Sequence, residues 1–351
     1  MKSYKLIKSG DPLIEVEIEK PKPTGREVLI KTIACGVCHT DIHLHEGYFD
    51  VGDDKKMASR LVDNLTMGHE VYGELVEVGE EVDEVTIGRN YVVYPWIGCG
   101  KCQACLDGME HHCGPFTSEN IGVAKDGGYG EFVLVKDYKY LFDAGDAPGD
   151  MAGTYACRGL TAYSALKKAK LQKENSTLVI IGAGGLGMLA INIAKAAFNV
   201  IPIVVDIDDE KLEIVKSMGI EHVFNSKNKE SVKSILELTN GGASSVIDFV
   251  GSDSSVEFGF NLFGLKKGGA LILVGLLGGK FAVQLPLFAF TARTLQGSYT
   301  GSMKEMAELM SIVREGKINP IETETRKFSD VNKALKDLKD GKVKGLVSLK
   351  Y

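Results

Sequence analysis

Ser176-Thr177-Leu178-Val179-Ile180-Ile181, followed by Gly182-Ala183-Gly184-Gly185-Leu186-Gly187, is the stretch on which the fold turns. Its first half is a continuous apolar run, as expected of a parallel strand buried on both faces. Its second half matches G-x-G-x-x-G and opens a helical pattern over 186–197. Strand, glycine turn and helix in that order are the context in which the motif binds a dinucleotide. Gly182 permits the tight turn, Gly184 lets the backbone approach a pyrophosphate, and Gly187 lets helix and strand pack closely. Gly185 and Leu186 open the helix, whose free N–H groups and partial positive charge suit phosphates.

The alternation continues downstream. Strands are expected at 200–205, 222–224, 245–249 and 270–274, with helices at 210–218 and 229–239 between them. Repeated βα units imply a doubly wound parallel sheet, an α/β fold. Asp206 closes the second strand, 19 residues after Gly187. A carboxylate there accepts hydrogen bonds from the adenosine ribose and repels a 2′-phosphate. No Arg follows it in Ile207-Asp208-Asp209-Glu210, so NAD is favoured over NADP. Lys211 either reaches the same ribose or is a solvated helix lysine.

Upstream the pattern differs. Short alternating runs such as Glu27-Val-Leu-Ile-Lys-Thr-Ile and Gly73-Glu-Leu-Val-Glu-Val-Gly read as strands, so residues 1–150 are expected to be mostly β. The charged stretch 49–66 lacks strand periodicity and reads as an inserted loop with a helical turn. After residue 300, helices are expected at 303–315 and 331–339 and a last strand at 346–349, returning to the first domain. The expected domains are thus 1–158, 159–300 and a C-terminal segment 301–351.

The chain has 351 residues and a net charge of −6, which argues against nucleic acid or anionic membrane as the main partner. No apolar run approaches the roughly 18 residues needed to span a membrane. The N-terminal Met-Lys-Ser-Tyr-Lys-Leu-Ile-Lys lacks a signal-peptide core, and a cytoplasmic location is expected.

Seven cysteines suggest metal sites in a reducing compartment rather than disulfides. Cys99, Cys102, Cys105 and Cys113 form C-x2-C-x2-C-x7-C, a spacing that can surround one tetrahedral zinc. Cys35, Cys38 and Cys157 are left over. Cys35-Gly-Val-Cys38-His39-Thr40-Asp41-Ile-His43 packs thiol, imidazole, hydroxyl and carboxylate together, and Gly68-His69-Glu70 adds an imidazole. Two thiolates and one imidazole could make a three-ligand catalytic zinc site with an open fourth position. Spacing alone does not prove it, since a lone buried Cys is usually a small hydrophobe.

Cys-Gly-Val-Cys-His-Thr-Asp, Gly-His-Glu, the four-cysteine lobe and the glycine motif, in this order, resemble the zinc-dependent alcohol dehydrogenases of the medium-chain dehydrogenase/reductase superfamily. The resemblance spans essentially the whole chain. The insertion before Met67, with Pro95-Trp96, is most similar to bacterial and archaeal members, often tetramers. The resemblance implies a mostly-β GroES-like catalytic domain, with a structural zinc lobe at about 95–115, joined to an NAD-binding Rossmann domain. It implies two Zn²⁺ per chain, one structural on the four cysteines and one catalytic on Cys38, His69 and Cys157. Asp41 then holds the ligand histidine, and Glu70 stands behind the zinc. Thr40 takes the alcohol proton and His43 passes it on. His39 faces the cofactor pyrophosphate, while Thr161, Val274, Ser298 and Thr300 meet the nicotinamide end. Cys35 has no role in the pattern.

Two positions depart from it. Arg158 follows the third ligand where many relatives carry a small residue; it would face cofactor phosphates, solvent or an acidic substrate group. Leu346 stands where relatives commonly have an arginine on the cofactor diphosphate, with Lys342 or Lys344 as candidate substitutes. Trp96, the single tryptophan, either lines the substrate pocket or packs in the core. The expected reaction is hydride transfer between a primary or secondary alcohol and NAD, giving an aldehyde or ketone, in a homodimer or homotetramer. The nearest alternative is a polyol or sugar dehydrogenase, in which a carboxylate usually replaces the third cysteine. An alternative of another class is a non-catalytic zinc- and nucleotide-binding sensor.

Overall fold

A computed structural model describes residues 1–59, 64–83, 85–171 and 176–351. The described chain divides into two compact units. The first comprises Met1–Tyr48, Ala58–Leu160 and Thr300–Tyr351; the second comprises Phe49–Met57 and Thr161–Tyr299.

In the first unit, strand Val28–Gly36 lies between Glu70–Val78 and the C-terminal strand Leu346–Lys350. The C-terminal strand pairs antiparallel with it (Ser348 opposite Gly36) and parallel with Thr323–Lys327. The antiparallel pairing of Val28–Gly36 with Glu70–Val78 sets Gly36 opposite Glu70. That register brings the end of one strand, leading into Val37 and Cys38, beside the start of the other, which His69 precedes. Helix His39–Glu46 follows at once, with Cys38 as its N-cap and left-handed Gly47 (φ 80°) as its C-cap. The main site is therefore built on two strand ends and one helix N-terminus.

The second unit carries six parallel strands in the order Val223–Asn225, Ile203–Asp206, Leu178–Ile181, Ser245–Asp248, Ala270–Leu273 and Thr294–Gly297. The order reverses between Leu178–Ile181 and Ser245–Asp248, the switch point where doubly wound sheets bind ligands. Val179, Val205, Val246, Leu271 and Phe263 are fully buried in its core.

The stretch 49–66 differs from expectation. Strands Tyr48–Asp50 and Lys56–Ala58 pair there, and Asp53 and Asp54 turn the chain at φ 55° and 58°. Asp tolerates the left-handed region, which is how a charged segment without strand periodicity makes a hairpin. Residues 60–63 of the expected loop lie outside the described residues. The structure also adds helices Asp253–Asn261 and Leu285–Phe290 and strands Thr294–Gly297 and Thr323–Lys327, which the sequence reading omits.

Candidate metal and cofactor sites

Cys38, His69, Glu70 and Cys157 are all buried, and one donor atom from each lies within 4.8 Å of the others. Asp41 orients the imidazole. Its Oδ1 is 3.1 Å from His69 Nδ1, while Oδ2 accepts from the Cys38 N–H (2.9 Å) and the Tyr129 hydroxyl (3.1 Å). With Nδ1 facing Asp41, Nε2 is the ring nitrogen left for a metal. That Nε2 is buried and has no hydrogen-bond partner. A buried polar atom without a partner is costly, and a metal ion satisfies it.

The two sulfurs are driven in opposite directions. A hydrogen bond between them holds Cys38 well below the ordinary thiol range and Cys157 well above it. For Cys157, burial adds to the upward push. Cys38 also gains from the N-terminus of helix His39–Glu46, which favours a thiolate. Two soft sulfur donors and one neutral imidazole suit zinc, and its binding would displace the remaining thiol proton.

Glu70 is held by the residue that the sequence left open. Arg158 Nε donates to Oε1 at 2.9 Å and to Oε2 at 3.2 Å, Nη2 donates to Oε2, and the Arg158 backbone N–H approaches Oε1 at 3.4 Å. Arg158 is 6% exposed and Glu70 0%. Burial pushes the Glu70 carboxyl up to about 7, with the Arg158 guanidinium opposing it. The expectation that Arg158 faces cofactor phosphates, solvent or an acidic substrate is therefore corrected: its planar fork is spent on Glu70.

Thr40 Oγ1 lies 3.8 Å from Cys38 Sγ, and His43 is half-buried one turn further along the same helix. Burial draws His43 below its ordinary value, although Glu46 and Cys38 oppose this. His39 is exposed at the helix start. Trp96 is 1% exposed, donates Nε1–H to the Ala156 carbonyl (3.0 Å) and packs 5.5 Å from the His69 ring. Its ring thus lies against the imidazole. Cys35 is fully buried outside the cluster.

The four-cysteine lobe assembles as its spacing suggests. Cys99, Cys102, Cys105 and Cys113 place their sulfurs within 4.8 Å of one another, with Cys102 3.4 Å from Cys105 and 3.9 Å from Cys113. A tetrahedron with zinc–sulfur bonds of about 2.3 Å has edges of about 3.8 Å, so the donor set fits zinc. Glu110, not singled out in the sequence, ties the lobe down. Its carboxylate accepts from Gly98 N–H (3.2 Å), Lys139 Nζ (2.9 Å) and the Tyr140 hydroxyl (2.6 Å). Burial alone would raise its pKa; these donors outweigh burial and hold it below the usual carboxylate value. Its contribution is thus present above the unfolded pKa of about 4.3 and lost as pH falls through the lower folded value. We expect Glu110→Gln to lower the Tm at neutral pH and flatten the acid limb of the stability profile. A Tm-against-pH series that leaves that limb unchanged would remove Glu110 from the lobe's support.

In the second unit, Gly182 turns the chain at φ 100°, and helix Gly185–Phe198 starts from Gly184 with no side-chain cap. A Cβ on Gly187 would stand 1.8 Å from the Gly182 carbonyl oxygen, whereas one on Gly184 would meet nothing within 4 Å. The protein itself therefore demands glycine at 187 but leaves open space at 184, as a docking pyrophosphate requires. Asp206 accepts from Ala183 N–H (2.6 Å) through Oδ2, and from Ile207 (2.7 Å) and Asp208 (3.0 Å) through Oδ1. A carboxylate has about four acceptor sites, so capacity remains for a ribose hydroxyl. Lys211 is half-buried on helix Asp209–Ser217. The Val274 and Ser298 backbone N–H groups donate to the carbonyls of Asp248 and Leu273 at the strand ends, and Thr161 lies buried on helix Arg158–Lys168. Thr300, counted with the first unit, is buried at φ 40° and its hydroxyl has no hydrogen-bond partner. Leu346 is 1% exposed in its strand, and Lys342 is ion-paired with Asp340 (3.0 Å) and Asp337 (3.6 Å).

Residues 24–146 match the alcohol dehydrogenase GroES-like domain, and residues 185–315 match the zinc-binding dehydrogenase family. The NAD-dependent alcohol dehydrogenase of Sulfurisphaera tokodaii is 37% identical over 353 residues, covering 98% of each chain. The chain belongs to the zinc-dependent alcohol dehydrogenase family. Among solved structures, the alcohol dehydrogenase of the hyperthermophilic archaeon Aeropyrum pernix superposes with a TM-score of 0.85 at 30% identity, covering 100% of both chains. The D-arabinose dehydrogenase of Sulfolobus solfataricus does so at 0.81 and 28%, again covering 100% of both. Family membership accounts for the GroES-like and Rossmann architectures and for the zinc and NAD expected of the chain. No helix among the described residues is long and apolar enough to cross a membrane.

Proposed function

We propose that the chain interconverts primary or secondary alcohols and the corresponding aldehydes or ketones with NAD, using Cys38, His69 and Cys157 to hold a catalytic zinc. The observation that carries this reading is the partnerless His69 Nε2 facing a buried donor set of two cysteines. Bound there, zinc would supply Lewis acidity toward a hydroxyl or carbonyl, and bound NAD would supply the hydride acceptor. The protein's own part is to orient and to move a proton. Asp41 fixes the His69 tautomer. Thr40, beside Cys38, accepts the alcohol proton as it gives up its own, and His43 takes the released proton toward solvent. Burial keeps His43 neutral, and so ready to accept a proton, at neutral pH. Cys99, Cys102, Cys105 and Cys113 hold the structural zinc.

The cofactor reading places the pyrophosphate at Gly182–Gly187 and the adenosine ribose at Asp206. We expect Asp206→Gly to shift the kcat/KM ratio toward NADP by about tenfold or more, since a negative charge next to a 2′-phosphate is removed. Unchanged discrimination would assign the preference to another group.

A homodimer or homotetramer is proposed from the edge strand Thr294–Gly297, which among the described residues pairs only with Ala270–Leu273. Leu285 (75%) and Phe290 (73%) are exposed just before it, leaving an apolar face for a second copy. A reducing compartment such as the cytoplasm fits seven cysteines that are all free of disulfides. The test of function is metal analysis with a substrate screen that follows NADH across primary, secondary, aromatic and acidic alcohols and a pentose. Two zinc per chain with chelator-sensitive turnover supports the dehydrogenase. One zinc and no NAD reduction points to a binding module, and preference for the pentose favours the sugar dehydrogenase reading.

A further inference from the structure

We propose that Arg158 is a positioning residue that holds the Glu70 carboxylate off the metal, keeping the fourth coordination position open for the alcohol; this rests on the reading of Cys38, His69 and Cys157 as zinc ligands. Glu70 is itself a potential ligand, because a carboxylate oxygen lies within 4.8 Å of the donors of Cys38, His69 and Cys157. Carboxylates bind zinc readily at about 2.0–2.2 Å, so something must keep this one back. Arg158 meets that need with its guanidinium fork and its backbone N–H, which together occupy most of the acceptor capacity of Glu70. Lys could not match the planar two-point grip.

Charge points the same way. Two thiolates neutralise the zinc, and Arg158 neutralises Glu70, so the buried group is balanced in two separate pairs. Without Arg158 the carboxylate would be buried beside one remaining cation, the metal. Space around the pair is shaped for it as well. A Cβ on Gly36 would lie 2.0 Å from Glu70 Oε2 and 2.9 Å from Arg158 Nη2, so the ion pair lies flush on the backbone of strand Val28–Gly36.

The experiment uses the full-length protein with cobalt(II) in the catalytic site and imidazole as the probe ligand. In the wild type, imidazole should shift the visible cobalt spectrum, because a position is open. In Arg158→Leu, Glu70 closes that position: the imidazole shift disappears, chelator-driven metal release slows about tenfold, and kcat/KM for alcohol falls about 100-fold. Arg158→Leu with Glu70→Gln should recover the imidazole shift and the wild-type release rate. Arg158→Lys, which keeps the charge but not the fork, should fall between; it carries the test if Arg158→Leu does not fold. The proposal is overturned if wild-type cobalt shows no imidazole shift, or if Arg158→Leu keeps that shift or releases metal faster. A wild type that takes up no metal at Cys38, His69 and Cys157 would instead overturn the zinc-site reading itself.

Discussion

Replacing Cys38 by Ser, or His69 by Ala, should cost about 10⁴-fold in kcat while NAD binding stays within about twofold. The size follows from the chemistry. An alcohol holds its proton with a pKa near that of bulk water, about 15.7, and zinc brings a bound hydroxyl down to about 7. Each unit is worth about 1.36 kcal/mol, so losing a little under half of that shift already gives a factor of about 10⁴. NAD should survive because the glycine turn and Asp206 belong to the second unit, whereas both ligands belong to the first. Cys35→Ser is the control. Cys35 is buried near the same strand end but outside the cluster, so its variant should keep two zinc per chain and near-normal kcat. Stopped-flow NADH absorbance, zinc content and NAD fluorescence titration decide the matter. Residual turnover in His69→Ala above about one per cent would remove His69 from the metal.

What could be read from the sequence was what repeats or clusters locally. The strand Leu178–Ile181 is buried at every position, and its apolar run announces that. The four lobe cysteines sit within fifteen residues, so their spacing carries the geometry. Contacts made across the chain leave no such mark. Asp41 and His69 are 28 positions apart, and only the family pattern joined them. Arg158 and Glu70, and likewise Tyr129 and Asp41, are separated by 88 positions. A lone arginine after Cys157 offers charge but no partner, so the sequence leaves phosphate, solvent and substrate open. Strand Thr323–Lys327 was missed for a different reason. Its sequence, Thr-Glu-Thr-Arg-Lys, has no apolar face, because the strand lies at a sheet edge. Helix Asp253–Asn261 begins in a serine-rich stretch that reads as loop; Ser252 and Ser255 in fact form its capping box.

Two alanine substitutions three residues apart should separate what the fold requires from what the cofactor requires. In Gly187→Ala the new Cβ would be driven to 1.8 Å from the Gly182 carbonyl oxygen, so backbone must move at the strand–helix junction. Such overpacking costs about 1–3 kcal/mol or more, and at about 2–4 °C per kcal/mol the Tm should fall by roughly 5–10 °C. Gly184→Ala is the opposite case. Its φ of −77° suits any residue, and its Cβ would meet no atom within 4 Å. Replacing glycine by Ala at the N-cap costs about 0.5–1 kcal/mol, and a stiffer unfolded chain offsets about 0.4–1 kcal/mol of it, so Tm should stay within about 2 °C. Yet the methyl would stand where the pyrophosphate approaches the backbone, and KM for NAD should rise by about 10–100-fold. Calorimetry paired with NAD titration reads both quantities on the same samples. If Gly184→Ala binds NAD normally, the open space at 184 is not the phosphate cradle and the cofactor's placement must be sought elsewhere in the second unit. If Gly184→Ala loses stability as Gly187→Ala does, the glycine there serves the fold, and the motif by itself ceases to argue for a dinucleotide.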